Sequence, residues 1–324
     1  VSTTVAPWPR RLVCVSVNAA IDKTAAVDRL LPGEIHRPQL LSALPGGKAL
    51  NVARAARTLG LEASVVAVLG GHAGAWMEEA LARRGIRTRA VRVAGETRTC
   101  LSVIDRAAGS LTEFYEAGLT LDADGWAAVE RALLAELAAD PAGTLVVVAG
   151  SLPPGAPDEG YGRLAALAAE AGARAAVDAS GVPLAAALAA HPWLVKVNAG
   201  EAAGATGIPA PDEAGALRAA AGLRAGGAAV AVVTRGVAGA ILVAEDGTPW
   251  RIGPPPERGP YVVGSGDALL AGLAAGLAAG HSLPEAARLG AAAACANALV
   301  PGQGELEAAD AARVLRGIAL ERLA

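Results

Sequence analysis

Rings are scarce in this chain: one Phe, three Tyr and five Trp among 324 residues. A core short of rings has to be filled by small aliphatic side chains, and 53% of the residues are hydrophobic. Such a composition suits helices packed closely on a sheet, and the length suffices for one large α/β core with a small appendage. Cysteine is equally thin. Cys14, Cys100 and Cys295 are odd in number and scattered, which argues against a disulfide framework or a zinc site. His36, His72, His191 and His281 share no metal-ligand spacing. No run of one charge sign occurs: the net charge is −3, only 18% of residues are charged, and Arg and Glu are well mixed. That excludes a nucleic-acid surface and an anionic-membrane anchor as partners. The longest charge-free apolar run, 268–280, is too short to cross a bilayer. The opening "VSTTVAPWPRR" lacks the apolar core of a signal peptide, so residues 1–10 read as a loose leader. A soluble, cytoplasmic protein is expected.

What is present is an alternation. Short β-branched runs at 12–17, 63–70, 144–150, 173–180, 193–198, 228–234 and 239–244 read as strands. Between them lie helical segments such as 49–59, 76–84, 124–139, 158–171 and 211–225. Strands that are apolar throughout and alternate with helices predict a mostly parallel sheet covered on both faces. Residues 22–45 and 95–118 break this pattern by alternating polar and apolar side chains, the second with a turn at Ala108-Gly109. They read as half-exposed antiparallel strands of a small sheet over one edge of the core. No internal repeat or linker divides the chain, so residues 11–324 read as one domain with a lid.

The chemistry-bearing stretches sit at strand ends. In "GSGD" (264–267), Gly264, Ser265 and Gly266 open a helix whose Gly272, Gly276 and Gly280 recur every fourth residue. Open amides and the helix dipole there favour an anion. Asp267 either caps that helix or stands beside a bound phosphate and accepts a proton from an attacking hydroxyl. "LPGGKALN" places Gly46, Gly47, Lys48 and Asn51 at another strand-to-helix turn, where Lys48 is either a surface lysine or a point charge for phosphate. It is not a Walker A loop: Ser42 replaces the first glycine and Ala49 the Ser/Thr that would hold magnesium. Asp22, closing "VSVNAAID", is either a turn residue or a ligand for paired sugar hydroxyls. The G-x-G-x-x-G expected there in a nicotinamide enzyme is missing. In "LVKVNAGE", Asn198 and Glu201 either cap a helix or orient waters around magnesium, with Lys196 beside them. "VVTRGVAG" could floor a nucleotide, and "AGSLPPG" puts Ser151 at the sheet rim where ligands bind. No G-x-S-x-G nucleophile elbow occurs at Ser151 or Ser265. General-base phosphoryl transfer fits better than covalent catalysis.

Taken together and in this order, these stretches resemble the ribokinase-like (PfkB) family of carbohydrate kinases. Within it they are most similar to the branch of 1-phosphofructokinases, tagatose-6-phosphate kinases and the minor 6-phosphofructokinase. The likeness runs over 12–304, with one signature from Gly46 through Asn51 and Gly60 to Gly70 and a second in "GSGDALLAGLA". It implies an α/β fold with a central, mostly parallel sheet, helices on both faces and a small β-sheet lid. It also implies ATP and Mg2+ as cofactors and a ketohexose phosphate as substrate: fructose 1-phosphate first, tagatose 6-phosphate or fructose 6-phosphate next. Asp267 would be the catalytic base, and the Gly264, Ser265 and Gly266 amides would hold the transferring group. Asp22, Gly46, Gly47 and Asn51 would grip the sugar, and Lys48, Arg37 and Arg98 its phosphate, with Ser151 beside them. Lys196, Asn198, Thr234, Gly236 and Gly239 would line the nucleotide site, Glu201 would act through magnesium, and the lid would pair two subunits. The chain departs from the branch at Ala19 (usually Pro), Ala49 (usually Gly), Val197 (usually Pro) and Val262 (usually Thr); only the last removes a hydrogen-bonding group. A non-catalytic sugar- or nucleotide-sensing protein on the same fold is the alternative of another class.

Overall fold

The apolar strands assemble side by side, as their composition requires. A computed structural model describes residues 8–323. The chain begins with strands β1 (Arg11–Ser16), β2 (Ala20–Val27) and β3 (Gln39–Gly46), then helix α1 (Lys48–Thr58), β4 (Glu62–Leu69), α2 (Gly71–Arg83) and β5 (Arg87–Arg92). It continues through β6 (Arg98–Asp105), β7 (Ser110–Tyr115), α3 (Ala123–Leu137), β8 (Thr144–Ala149), α4 (Gly160–Glu170), β9 (Arg174–Asp178) and α5 (Gly181–Ala189). Then follow β10 (Leu194–Asn198), α6 (Ala199–Thr206), α7 (Glu213–Ala225), β11 (Val230–Thr234), β12 (Ala240–Val243) and β13 (Pro249–Ile252). The last elements are α8 (Ser265–Ala278), α9 (Leu283–Leu299), α10 (Ala308–Leu315) and β14 (Leu320–Arg322).

Ten strands form the main sheet in the order β14-β13-β12-β11-β10-β9-β8-β1-β4-β5. The strands from β11 to β5 in this order are parallel, and β12, β13 and β14 add an antiparallel edge. Period-two alternation splits the core into two layers. On β1, Leu12 and Cys14 face the layer that holds Leu50, Met77, Leu270, Ala292 and Val314. Val13 and Val15 face the other, with Leu133, Leu164, Leu184 and Leu223. The order reverses beside β1, since the chain builds outward to β4 and β5 on one side and from β8 to β11 on the other. A crevice therefore opens past the C-terminal ends of β1 and β8, as at other such switch points.

Glycine sets how closely α8 meets α9. A Cβ on Gly272 would lie 2.9 Å from the Gly290 Cα, one on Gly276 2.8 Å from the Ala286 Cα, and one on Gly290 2.5 Å from the Leu269 carbonyl oxygen. Gly280 does not belong to that face. It has φ +84 with open space around it and ends the helix in the left-handed conformation.

The two polar-alternating segments form a separate four-stranded sheet, β3-β2-β6-β7. The β2–β3 and β6–β7 pairs are antiparallel, but the central β2–β6 pair is parallel, which corrects the all-antiparallel expectation. β2 and β6 are joined by a long crossover through β3, α1, β4, α2 and β5, and such a connection permits parallel pairing. Of the expected loose leader, residues 1–7 lie outside the described residues. Trp8 to Arg10 are held: Trp8 meets Trp193 edge-on at 4.9 Å, the Arg174 guanidinium lies 4.5 Å over the Trp8 ring, and Arg10 Nε donates to Asp140 at 2.8 Å. Among the described residues no helix is long and apolar enough to cross a membrane.

The α8–α9 contact predicts a contrast between two helical glycines. Gly290→Ala drives a methyl into backbone and should lower unfolding stability by about 1–3 kcal/mol. Gly204→Ala, in α6 with nothing within 4 Å, should leave stability unchanged or raise it by up to about 1 kcal/mol. Urea unfolding midpoints of the two variants check this.

Candidate active site

Two hollows occupy the crevice. The larger, about 670 Å³, is lined by residues from the ends of β1, β8, β9 and β10, the start of α1, the lid and the start of α8. The second, about 310 Å³, is mostly apolar and lies between the Gly236–Ala238 turn, the 255–262 loop and α9. They share Asn198, Thr234 and Gly266. The N-terminus of α8 thus stands where the two meet.

At that junction the helix is uncapped by any side chain. Gly264, the N-cap, has φ +85, and a Cβ there would lie 2.4 Å from the Gly304 amide nitrogen, so only glycine fits. The Ser265 amide turns back on the Val262 carbonyl at 3.3 Å. The Gly266 and Asp267 amides have no protein acceptor among the described residues and lie at the positive end of the helix dipole. Asp267 does not cap. It is the third residue of α8, buried, and its Oδ2 accepts from Asn51 Nδ2 at 2.8 Å. Burial raises its pKa to about 7; the nearby Asp178 carboxylate adds to the rise, and Lys196, the Asn51 amide and Lys48 oppose it.

Asp178, closing β9, is fully buried between two ammonium groups. Lys48 Nζ donates to its Oδ1 at 2.9 Å and Lys196 pairs with its Oδ2. Burial works against its charge, but the two lysines hold its pKa below the ordinary carboxylate value. Burial likewise opposes the charge on Lys48, yet Asp178 first, then Glu201 and Asp267, raise its pKa above the ordinary lysine value. Glu201 and Asn198 form a complete capping box on α6: Asn198 Oδ1 accepts from the Glu201 amide at 2.9 Å, and Glu201 Oε2 from the Asn198 amide at 2.8 Å. That leaves Glu201 Oε1 3.7 Å from Lys48 Nζ.

On the lid side, Asp22 is buried and its pKa is pushed up to about 6, chiefly by burial, with Arg54, the Gly47 amide and Arg98 pulling it down. Gly46 has to be glycine because a Cβ there would sit 2.0 Å from the Asp22 carboxyl carbon. The Gly47 amide donates to Asp22 Oδ2 at 3.3 Å. Arg98 reaches over from β6 and donates to the Asn18 and Glu116 carbonyls at 3.1 and 3.2 Å, while its buried Nε has no partner among the described residues. Asn18 donates to Ser151 Oγ at 3.0 Å.

A protein-family model described as pfkB family carbohydrate kinase matches residues 10–309. The chain belongs to this family. A 1-phosphofructokinase from Xanthomonas campestris pv. campestris is 40% identical over 272 residues, 82% of this chain and 83% of that one. A 1-phosphofructokinase from Rhodobacter capsulatus is 34% identical, with 86% and 87% covered. Among solved structures, phosphofructokinase-2 from Escherichia coli superposes with a TM-score of 0.85 at 28% identity, over 95% of this chain and 98% of that one.

In this pfkB-family chain the crevice gathers Asp22, Gly47, Lys48, Asn51, Arg98, Ser151, Lys196, Asn198, Glu201, Thr234, Gly264, Gly266 and Asp267 around the larger hollow. Gly236, Gly239 and Ser265 line the smaller one, and Gly46 backs Asp22. Arg37 is not among them: it is exposed on the loop between β2 and β3. Lys48 reaches Asp178 at the end of β9 and Glu201 in α6 rather than the lid strands. Two residues of this network escape a reading of the sequence. Asp178 was visible only as the acid that closes the otherwise apolar run "ARAAVD". Arg54, one turn along α1 from Asn51, carried no signal beyond its place in a helix.

The raised pKa of Asp267 has a consequence for stability. The folded state keeps a proton that the unfolded chain releases near the ordinary carboxylate value of 3.8. Stability from this group is therefore complete below pH ~4 and lost as pH rises through about 7. Asp267→Asn, which cannot ionise, should melt above the wild type at pH 8, with the difference closing as pH falls toward 4. Melting curves of both proteins across that range read it directly.

Proposed function

We propose that this chain transfers the γ-phosphoryl group of ATP to a ketohexose phosphate, fructose 1-phosphate before tagatose 6-phosphate or fructose 6-phosphate. One observation carries the reading: the buried Asp267 carboxylate and the open Gly266 and Asp267 amides meet where a polar, cation-bearing hollow joins an apolar one. The polar hollow suits a phosphorylated sugar and the apolar one a nucleotide base.

Phosphoryl transfer needs positioning and charge neutralisation more than covalent chemistry. Asn51 holds Oδ2 of Asp267, so Oδ1 is the atom that takes the proton from the attacking hydroxyl. The Gly266 and Asp267 amides receive the charge on the transferring group. Asp22 accepts from sugar hydroxyls, and Arg98, whose Nε is unsatisfied, faces the phosphate already on the sugar. Asn198, Thr234, Gly236 and Gly239 border the nucleotide, with Lys48 and Lys196 toward its phosphates. Magnesium fits the donors present. Glu201 offers one carboxylate oxygen with its other oxygen engaged, and such an ion takes one or two carboxylates together with phosphates and waters. Among the described residues no group of three or more His, Cys, Asp or Glu could hold a metal without them. When bound, magnesium neutralises phosphate charge. The cytoplasm, where ATP and sugar phosphates are kept, is the place this reading assigns.

ADP release with magnesium-ATP should be strong on fructose 1-phosphate and weak on free fructose and ribose. Asp267→Asn should lower kcat by about 10²–10⁴-fold. An Asp267→Asn variant as active as wild type would sink the assignment, and no turnover on any sugar phosphate would leave the sensing protein as the better reading.

The lid also supports a homodimer. Leu101 and Phe114 are cross-strand neighbours on the sheet face opposite Asp22, Cys100 and Tyr115. Phe114 is 54% and Leu40 60% exposed, and a second copy would cover them. A tetrameric inhibited form is known for the Escherichia coli phosphofructokinase-2. Phe114→Glu should convert a wild-type dimer to monomer in sedimentation velocity, whereas a wild-type monomer would remove this part of the reading.

A further inference from the structure

We infer that Arg54 is a positioning residue: it fixes which end of the Asn51 amide meets Asp267, and through that amide it keeps the base ready to accept a proton. The inference rests on Asp267 being the base. Arg54 lies on α1 with its side chain wholly buried. It donates to Asn51 Oδ1 at 2.6 Å, to the Gln303 carbonyl at 2.5 Å and to Glu305 Oε1 at 2.5 Å. Glu305 is held in turn by Arg84 at 2.9 Å.

Donor and acceptor identity sets the sense of the amide. A guanidinium has five N–H donors and no acceptor. Whatever faces it must accept, so the Asn51 oxygen turns to Arg54 and the NH2 turns to Asp267. Remove the guanidinium and the amide loses what distinguishes its two ends. Flipped, it would present oxygen to the Asp267 carboxylate, which is tolerable only if that carboxylate is protonated and therefore unable to act as a base. Asp267 is already disfavoured as an anion, by burial and by the charge of Asp178 at the end of β9. Lys196 on β10, Lys48 on α1 and the Asn51 amide are what favour it. The amide is the member of this set whose sense can be reversed by a single distant contact.

The same contact ties together pieces that the sequence keeps far apart. The Gln303 carbonyl and Glu305 belong to the loop after α9, and the Gly304 amide between them donates to Asn297 Oδ1 at 2.7 Å. Asn297 Nδ2 in turn donates to the Tyr261 and Val263 carbonyls, both at 3.1 Å, just ahead of the amides of α8. Arg54 therefore sets the base while Asn297 sets the loop before the anion-binding amides, from one shared segment.

The test compares pH profiles of kcat and of kcat/KM for wild type, Arg54→Met, Arg54→Lys and Asp267→Asn, with Gly290→Ala as a variant destabilised elsewhere. Arg54→Met is expected to lower kcat about tenfold and to move the acid limb upward by about one pH unit, the loss of one hydrogen bond to a charged group. Its KM for ATP should stay near wild type. Arg54→Lys keeps a cationic donor for the Asn51 oxygen, so it should restore part of kcat and part of the limb position. Gly290→Ala should lose stability with the limb in place. If Arg54→Met does not fold, Arg54→Lys decides, a limb displaced in the same direction by less supporting the inference. An unmoved limb and an unchanged kcat in whichever of the two folds would overturn it. Asp267→Asn keeps the two readings separable. An inactive Asp267→Asn beside an unaffected Arg54 variant removes only the role of Arg54, whereas an active Asp267→Asn removes the base and the inference together.

Discussion

The ion group formed by Lys48, Asp178 and Lys196 underlies the rest of the crevice. Charges removed from water are unfavourable unless each finds a partner. Asp178 is wholly enclosed, and it is tolerable because two ammonium groups arrive from different elements, α1 and β10. Their surplus positive charge then allows a second acid, Asp267, to be buried nearby. Take away Asp178 and two lysines are left with little to hold them; take away the lysines and two carboxylates repel at close range. The strand order makes the meeting possible, because β1, β8, β9 and β10 all end at one rim. The glycine contacts between α8 and α9 hold the helix that delivers Asp267 close to the core.

Much of this fold could be read from the chain before any coordinates. The central strands are continuous runs of Val, Ala and Leu, which only a strand covered on both faces tolerates, and all of them are present. The elements that could not be read had other signatures. β5 is "RTRAVR", an edge strand whose Arg87 and Arg89 reach out to Glu136, so its alternation is charged rather than apolar. α5 opens with Gly181-Val182-Pro183 and has no polar face to give it a period. The parallel pairing of β2 with β6 was hidden for a different reason. Alternation fixes which face a side chain takes, but not which distant strand lies next to it or in what direction it runs.

The site divides along the same line. Motifs made of consecutive residues, such as Gly264 to Asp267 or Gly46 to Asn51, carry their geometry with them and were legible. Contacts between residues far apart in the chain were not. Asp178 declares itself only when Lys48 and Lys196 close on it, and Arg54 only when the loop at 303–305 folds back. Arg37 is the converse case: a cation on a loop without periodic pattern carries no local information about where the loop lies, and it is exposed outside the lining of the crevice. The Asn198 and Glu201 pair forms the capping box that the sequence offered as one of its two readings, and that box uses one carboxylate oxygen and leaves the other.

The two hollows share a border made of Asn198, Thr234 and Gly266. None of these offers a strong nucleophile that could store a phosphoryl group between visits of two substrates, and the carboxylate beside them, Asp267, is the one proposed to take a proton instead. Under the proposed function, a group crossing that border crosses in one displacement, with donor and acceptor resident together. In steady-state terms that reading implies a sequential scheme: double-reciprocal lines for one substrate at fixed levels of the other intersect, and no exchange of label between ATP and ADP occurs without the sugar. On that reading, the make-up of one shared wall sets the form of the rate law.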